Sequence, residues 1–194
     1  DGGITWSATF TPKPGVTQSQ NSIALDMTGV ISGSGQPGMG MVYSNVFNID
    51  FQRPTSTIVM SNTALKAGDT SQVTITFSEA VWGFDNSDLS VSNGMLSNVY
   101  TTDGGITWTA TFTPNTGVTD NTNLIVLNNA GIADIAGNQG WGTTDSPNYT
   151  TDTERPTATI FMSNTALKAG DTSQVTITFS EAVTGFDNAD LSVP

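Results

Sequence analysis

Cysteine and histidine are both absent from the 194 residues of this chain. Without cysteine, no disulfide can stabilise the fold, and cysteine usage gives no indication of the redox compartment. Without histidine, the chain lacks the commonest transition-metal ligand and the usual general base of enzymes. Any metal site must therefore be built from oxygen ligands.

Positive charge is also scarce, with five Lys or Arg against 17 Asp or Glu and a net charge of −12. Nucleic acids and anionic membrane surfaces attract basic proteins, so the composition argues against both as partners. No stretch approaches the roughly 20 apolar residues that a membrane-spanning helix needs. The sequence therefore predicts no membrane insertion.

An internal repeat organises the residues that are present. The sequence of residues 61–80 recurs unchanged at 163–182, and the sequence of 53–55 returns at 155–157, in each case 102 residues later. Self-similarity at a fixed period is typical of arrays of repeated structural units. The sequence therefore predicts the C-terminal part of one unit in residues 1–52, a complete unit in 53–154 and the N-terminal part of a third unit in 155–194. The last copy departs from the repeat at Pro194, which stands at the Ser92 position.

Short segments with apolar residues at alternate positions predict β-strands, and no segment has convincing helical periodicity. Three strands are predicted in the first unit, at 4–10, 22–27 and 45–51. Seven are predicted in the complete unit, at 57–60, 72–77, 88–91, 95–100, 106–112, 123–127 and 148–153. Seven short strands in about 100 residues predict an all-β fold of tandem immunoglobulin-like β-sandwich repeats. Trp108 shares the inward-facing phase of Ile106, Ala110 and Phe112, which predicts that it belongs to the core.

Acidic residues lie mainly in loops that the predicted strand order returns to the junctions between units. Carboxylates from two units would converge there, and like charges repel unless a cation lies among them. Oxygen ligands without His or Cys suit Ca²⁺, which takes six to eight oxygens. The predicted calcium ligands are Asp50, Glu79, Asp85, Asp88, Asp134, Asp152, Glu154, Glu181, Asp187 and Asp190. The alternative is that these acids are solvated loop residues that keep the protein soluble, because no EF-hand loop or RTX nonapeptide is present.

The first unit departs from the repeat at several of these positions. Ser32 stands at the Asp134 position and Gln52 at the Glu154 position, whereas Asp50 keeps the Asp152 position. Apolar residues enter the same region, which predicts an apolar contact around residues 39–43. Full solvent exposure of these residues would contradict that prediction.

Three stretches resemble the bacterial Ig-like repeats of giant surface and biofilm-associated adhesins, including secreted RTX-type adhesins. They are TALKAGDTSQVTITFSEAVTGFDNADLSV (165–193), DGGITWTATFTP (103–114) and NNAGIADIAGNQG (128–140). The resemblance implies an extracellular or cell-surface spacer or filament-forming segment that holds an adhesive domain away from the cell. It also implies calcium at domain junctions, with Asp50, Glu79, Asp152 and Glu181 as candidate ligands.

Two functions of other classes compete with a structural extender. A pair of carboxylates such as Asp85 and Asp88 could act as catalytic acid and base, but a catalytic site seldom needs to be copied at every period. A module that binds surface glycans would need exposed aromatic side chains. Trp82 and Trp141 are the candidates, although neither is repeated in the neighbouring unit.

The two incomplete units are complementary. Residues 155–194 supply the first three predicted strands of a sandwich and residues 1–52 supply the last three, so each leaves unpaired strand edges. Pairing of one copy's C-terminal part with the next copy's N-terminal part predicts an open, head-to-tail filament. The alternative is a segment of a longer repeat array, in which each unit is completed by its own chain.

Overall fold

The computed structural model describes residues 1–193, and Pro194 lies outside the described residues. Strands make up almost all of the regular structure of this part of the chain. The other regular elements are three 3-10 helices, at Met27–Gly29, Asn86–Asp88 and Asn188–Asp190. None of the helices in residues 1–193 has the length and apolar character required to cross a membrane.

Residues 1–52, the first segment, contain four short strands: β1 (Gln18–Asn21), β2 (Ala24–Asp26), β3 (Met41–Tyr43) and β4 (Phe47–Ile49). Strand β1 pairs with β4 and β2 pairs with β3, both antiparallel. The strands predicted at 22–27 and 45–51 are confirmed over shorter spans. The strand predicted at 4–10 is not formed, because the first segment contains no counterpart of the strand that would pair with it.

Residues 53–154, the middle segment, contain thirteen strands, several of them only two or three residues long. They are β5 (Ser56–Met60), β6 (Ala64–Lys66), β7 (Ser71–Phe77), β8 (Val81–Trp82), β9 (Leu89–Val91), β10 (Gly94–Leu96), β11 (Tyr100–Thr101), β12 (Thr107–Pro114), β13 (Thr119–Asn123), β14 (Ile125–Asn128), β15 (Ala133–Asp134), β16 (Thr143–Asp145) and β17 (Tyr149–Asp152).

These strands form two layers around one core. One sheet has the order β10-β12-β7-β5, with β11 also paired to β12. The other layer consists of the ladders β9-β14-β16 and β13-β17-β6, and β17 pairs with β6 in parallel. Buried side chains from both layers form a single cluster. This strand order is that of an immunoglobulin-like sandwich, so the predicted all-β fold class is confirmed.

The core is formed by the side chains at alternate positions of the strands, which point to the inside of the sandwich. In β7, every second side chain from Ser71 to Phe77 is buried, and Phe112 packs edge-to-face on Tyr149 with ring centroids 5.0 Å apart. Trp108 packs against the core beside Phe84, as predicted. Ile106 is 40% exposed, because it precedes the first residue of β12.

The last segment, residues 155–193, contains β18 (Ala158–Met162) and β19 (Val175–Phe179), which form an antiparallel pair. Residues 191–193, where a third strand is predicted, are not a strand. Their counterpart in the middle segment, β9, pairs with β14, and the last segment has no equivalent of β14. The last segment is therefore half of a sandwich with its inner face open.

The predicted apolar contact around residues 39–43 is not formed within residues 1–193. Met39 is 88% exposed and Tyr43 is 64% exposed. That prediction is wrong for the single chain.

Candidate metal centre

Three predicted ligands from separate parts of the chain come together where the first segment meets the middle segment. Asp50 follows β4, Glu79 lies between β7 and β8, and Asp134 ends β15. Each offers a carboxylate oxygen, and the three oxygens all lie within 4.8 Å of one another. Oxygens that share a Ca²⁺ ion at about 2.3–2.6 Å lie no more than about 5 Å apart, so the spacing fits this ion.

Asp134 is held in place by its backbone and by a neighbouring amide. The pairing of β15 with β8 places Asp134 opposite Val81, two residues after Glu79. The side chain of Asp134 is 1% exposed. Its Oδ1 accepts the backbone N–H of Asn138 at 2.8 Å, and its Oδ2 accepts the Asn138 side-chain amide, also at 2.8 Å. The buried carboxylate therefore has a fixed orientation.

Asp50 is fixed from the first segment. Its Oδ1 accepts a hydrogen bond from Thr17 Oγ1 at 3.2 Å and one from the Gln52 backbone N–H at 2.9 Å. Asn138 Nδ2 also donates to the backbone carbonyl of Asp50, at 3.2 Å. The same amide group thus contacts Asp134 and Asp50, and it connects the two segments beside the carboxylates.

A second contact supports the junction. Arg53 donates from its guanidinium to the backbone carbonyl of Gln139 at 2.8 Å. Arg53 immediately follows the first segment, and Gln139 lies in the same loop as Asn138. The loop between β15 and β16 is therefore the surface against which the end of the first segment is held.

The electrostatics of the cluster favour a cation. Burial raises the pKa of Glu79, and the negative charges of Asp134 and Asp50 raise it further. Holding three ionised carboxylates together costs free energy that a divalent cation would offset. Carboxylate oxygens are the hard ligands that Ca²⁺ prefers. The residues present therefore fit a calcium ion.

Four of the other predicted ligands form local hydrogen bonds that cap 3-10 helices. Asp85 Oδ1 accepts the backbone N–H and the hydroxyl of Ser87, and Asp88 Oδ2 accepts the backbone N–H of Asp85 at 3.0 Å. These bonds from Ser87 lower the pKa of Asp85. Asp187 and Asp190 form the same capping box in the last segment. Each pair starts a 3-10 helix, and none of the four belongs to the three-carboxylate cluster.

Of the remaining predicted ligands, Asp152 and Glu154 lie at the end of the middle segment and Glu181 lies in the last segment. Thr119 Oγ1 donates to Asp152 Oδ1 at 2.9 Å and lies 3.5 Å from Glu154 Oε2. Glu181 is exposed. Asp152 and Glu181 stand 102 residues after Asp50 and Glu79. The position 102 residues after Asp134 falls beyond the 194 residues of this sequence, so a complete equivalent of the cluster cannot form within them.

Sequence reasoning did not predict the polar residues that orient the cluster, namely Thr17, Arg53, Asn138 and Gln139. Asn138 carries the clearest signal, since it follows Gly137, whose φ of +92° marks a tight turn after Asp134. Its contact with Asp50 depends on how two distant segments pack, which no local pattern encodes.

The two-layer strand order defines an immunoglobulin-like domain. The family profile described as "Bacterial Ig-like domain" matches residues 1–49, 50–151 and 152–194. The chain belongs to this family.

Comparison with curated proteins gave no match. Among solved structures, the chain is similar to FdeC, described as a broadly conserved Escherichia coli adhesin that elicits protection against urinary tract infections. The similarity has 16% sequence identity and a TM-score of 0.40, and it covers 71% of this chain. It spans 45% of the FdeC chain, which is less than half of its length.

Proposed function

We propose that this chain is a non-catalytic structural segment of a bacterial extracellular adhesin, built from immunoglobulin-like repeats that act as a spacer. In this proposal, residues 53–154 are a complete repeat, and residues 1–52 and 155–194 are parts of two further repeats. Membership of the bacterial Ig-like family supports the proposal, as does the resemblance of the repeat to those of giant surface adhesins. The acidic pair considered for catalysis, Asp85 and Asp88, is engaged in a capping box, which favours a structural role.

The observation that carries the proposal is the junction of Asp50 with Glu79 and Asp134. A spacer needs a defined angle between successive units, because flexible junctions shorten its reach. We propose that Ca²⁺ binds these three carboxylates and fixes the angle between the first and middle segments. Asp152 and Glu181 are the proposed first two ligands of the equivalent ion at the next junction.

Thermal unfolding with and without calcium tests this proposal. A ligand that binds only the folded state at a hundred times its Kd adds about 2.7 kcal/mol to the free energy of unfolding. We expect Ca²⁺ to raise the Tm of the chelator-treated protein, and Asp50→Asn to abolish the increase. Asp145→Asn removes the same charge from an exposed position outside the cluster, so this control should still respond. An equal Tm for the parent protein in chelator and in Ca²⁺ would exclude the calcium site.

Glycan binding is the second candidate function, and the exposure of two aromatic side chains favours it. Trp82 is 62% exposed and Trp141 is 84% exposed. Exposed indole faces can stack on sugar rings, although the Trp82 N–H is already donated to the backbone carbonyl of Asp134. Binding on a glycan array that is lost in Trp82→Ala or Trp141→Ala would support this function. A blank array would leave the spacer function favoured.

A further inference from the structure

The turn that follows β15 occurs twice in the chain with different side chains. In the middle segment, the N–H of Asp134 donates to the carbonyl of Asn138, and the N–H of Gly137 donates to the carbonyl of Asp134, both at 3.1 Å. In the first segment, Ser32 and Gln36 stand at the positions of Asp134 and Asn138. The N–H of Ser32 donates to the carbonyl of Gln36 at 2.8 Å. The two turns therefore share a backbone hydrogen bond at equivalent positions.

The side chain at the first position of each turn accepts the same backbone N–H. Asp134 Oδ1 accepts the N–H of Asn138 at 2.8 Å, and Ser32 Oγ accepts the N–H of Gln36 at 3.1 Å. A serine hydroxyl is therefore sufficient to form this turn. Burying a carboxylate costs free energy unless it has partners, so the turn alone does not account for the buried Asp134 or for the asparagine at position 138.

The side-chain amide of Asn138 contacts both sides of the junction. Its Nδ2 donates to Asp134 Oδ2 at 2.8 Å and to the backbone carbonyl of Asp50 at 3.2 Å. An amide NH₂ group has two donors, and here one is used in the middle segment and the other in the first segment. The amide therefore relates the orientation of the Asp134 carboxylate to the position of the main chain at Asp50.

The bonds from Asn138 leave the Asp134 carboxylate able to bind a cation. An ionised carboxylate has about four acceptor sites, two on each oxygen. Asn138 occupies one site on Oδ1 through its backbone and one on Oδ2 through its side chain, so each oxygen can accept a further partner. Outer hydrogen bonds of this kind orient the carboxylates that bind metal ions. The arrangement fits a ligand whose orientation is set before the ion binds.

We propose that Asn138 is the positioning residue of this junction. Its amide orients Asp134 and holds the main chain of Asp50 beside it, so the carboxylates are aligned before a cation binds. The effect on calcium affinity rests on the proposed calcium site. The effect on the orientation of the two segments does not, because the hydrogen bonds of Asn138 need no ion. In the first segment, the ligand and its positioning amide are replaced together, by Ser32 and Gln36.

Calcium titration of the 194-residue chain by isothermal calorimetry tests the effect on affinity. Asn138→Ala removes the amide and keeps the backbone N–H that Asp134 accepts, so the turn should still form. Loss of a hydrogen-bonding partner of a metal ligand typically lowers metal affinity about 10–100-fold. We expect Asn138→Ala to raise the Kd for Ca²⁺ by a factor in this range. A Kd equal to that of the parent protein would overturn the proposed alignment of the ligands.

The matched control is Asn148→Ala, which removes an amide that joins two parts of the middle segment. Asn148 Nδ2 donates to the carbonyl of Asn121 at 3.0 Å, and its Oδ1 accepts the N–H of Asn123 at 3.0 Å. None of these residues belongs to the carboxylate cluster. This variant should lower the Tm and keep the parent Kd for Ca²⁺. An equal increase of the Kd in both variants would show that Asn138 acts only through the stability of the middle segment, and would overturn the proposal.

A distance measurement in chelator tests the orientation of the two segments without any ion. The chain has no cysteine of its own, so nitroxide labels can be attached at N45C in the first segment and T116C in the middle segment, both exposed positions. Pulsed EPR of the labelled protein should give a broader distance distribution for Asn138→Ala than for the parent protein or Asn148→Ala. If the parent protein binds no calcium, a broader distribution still supports positioning by Asn138, whereas an unchanged distribution would overturn it.

Discussion

At the scale of single residues, Glu79 is a group whose negative charge is opposed by its surroundings. Burial and the charges of Asp134 and Asp50 raise its pKa. The folded state therefore binds a proton more readily than the unfolded state, whose pKa is near 4.5. Without a cation, stability falls as the pH rises from that value through the raised pKa, and the penalty is fully present above it.

Glu79→Gln should therefore have opposite effects in the two solution conditions. In chelator at pH 7, the variant should unfold at a higher temperature than the parent protein, because one repelling charge is gone. In Ca²⁺, the variant should gain little further stability, because a ligand is gone. Calorimetry of both proteins in both conditions measures the two effects.

The control for this prediction is Asp145→Asn, which neutralises an exposed carboxylate outside the cluster. It should keep the calcium response of the parent protein. A Glu79→Gln variant that is less stable than the parent in chelator would show that the cluster is not repulsive.

The pKa of Asp103 is shifted in the opposite direction, downwards. Its carboxylate accepts the backbone N–H of Thr107 at 2.9 Å and 3.0 Å, the N–H of Ile106 at 3.1 Å and the Thr101 hydroxyl at 2.9 Å. These bonds, chiefly those from Thr107, lower its pKa from 3.8 to about 2. We expect the Asp103 carboxyl carbon to titrate with a midpoint near pH 2 in NMR spectra of the folded protein.

The lowered pKa has a consequence for acid stability. A carboxyl whose pKa is depressed by folding stabilises the protein above its unfolded pKa, and the contribution is lost as the pH falls through the folded value. Asp103→Asn should therefore flatten the dependence of Tm on pH between about pH 4 and pH 2. An NMR midpoint near the unperturbed value would contradict both expectations.

The candidate site was partly predictable from the sequence at this scale. The absence of histidine and cysteine, together with acids in repeated loops, selects Asp50, Glu79 and Asp134 among the predicted ligands. The same reasoning also selects Asp85, because composition does not distinguish a carboxylate that faces a junction from one that caps a 3-10 helix. The spacing of Asp85 and Asp88, three residues apart before a strand, carries that information.

At the scale of secondary-structure elements, the alternation of apolar and polar residues predicted strands well where a partner strand exists. Residues 4–10 have the same alternating pattern as β12, yet only β12 forms a ladder, because β7 lies beside it. Hydrogen bonds and cross-strand contacts stabilise a strand, whereas the pattern alone does not. In the middle segment, most of the strands that the sequence did not predict have two or three residues, too few for any period to be recognised: β6, β8, β15 and β16. The other one, β13, has five residues that are all polar, so it shows no alternation.

A comparison of two isoleucines in equivalent positions shows how much the closed core of the sandwich contributes to the free energy of unfolding. Ile58→Ala should lower the free energy of unfolding of the middle segment by about 2–5 kcal/mol, because it opens a cavity in a packed core. Ile160→Ala removes the same atoms from a side chain that is 63% exposed. In dilute single chains it should change stability by no more than about 0.5 kcal/mol.

Denaturant titrations of the two variants and of the parent protein, all at low protein concentration, measure the two effects. Equal destabilisation by both variants in dilute protein would show that the last segment has its own closed core.

At the scale of the whole molecule, the junction between the first and middle segments is the place where the relative orientation of successive units is set. Asn138 donates there to the backbone carbonyl of Asp50, beside the three carboxylates. A spacer built from such units has the greatest reach when that orientation is fixed.

Small-angle X-ray scattering of the 194-residue chain in calcium and in chelator tests the angle at this junction. If calcium fixes the angle, its removal should broaden the distribution of distances between the first and middle segments, and Asp50→Asn should have the same effect even in calcium. Asp145→Asn, which changes an exposed carboxylate outside the cluster, should keep the calcium-dependent profile. Identical profiles of the parent protein in calcium and in chelator would contradict calcium at the junction.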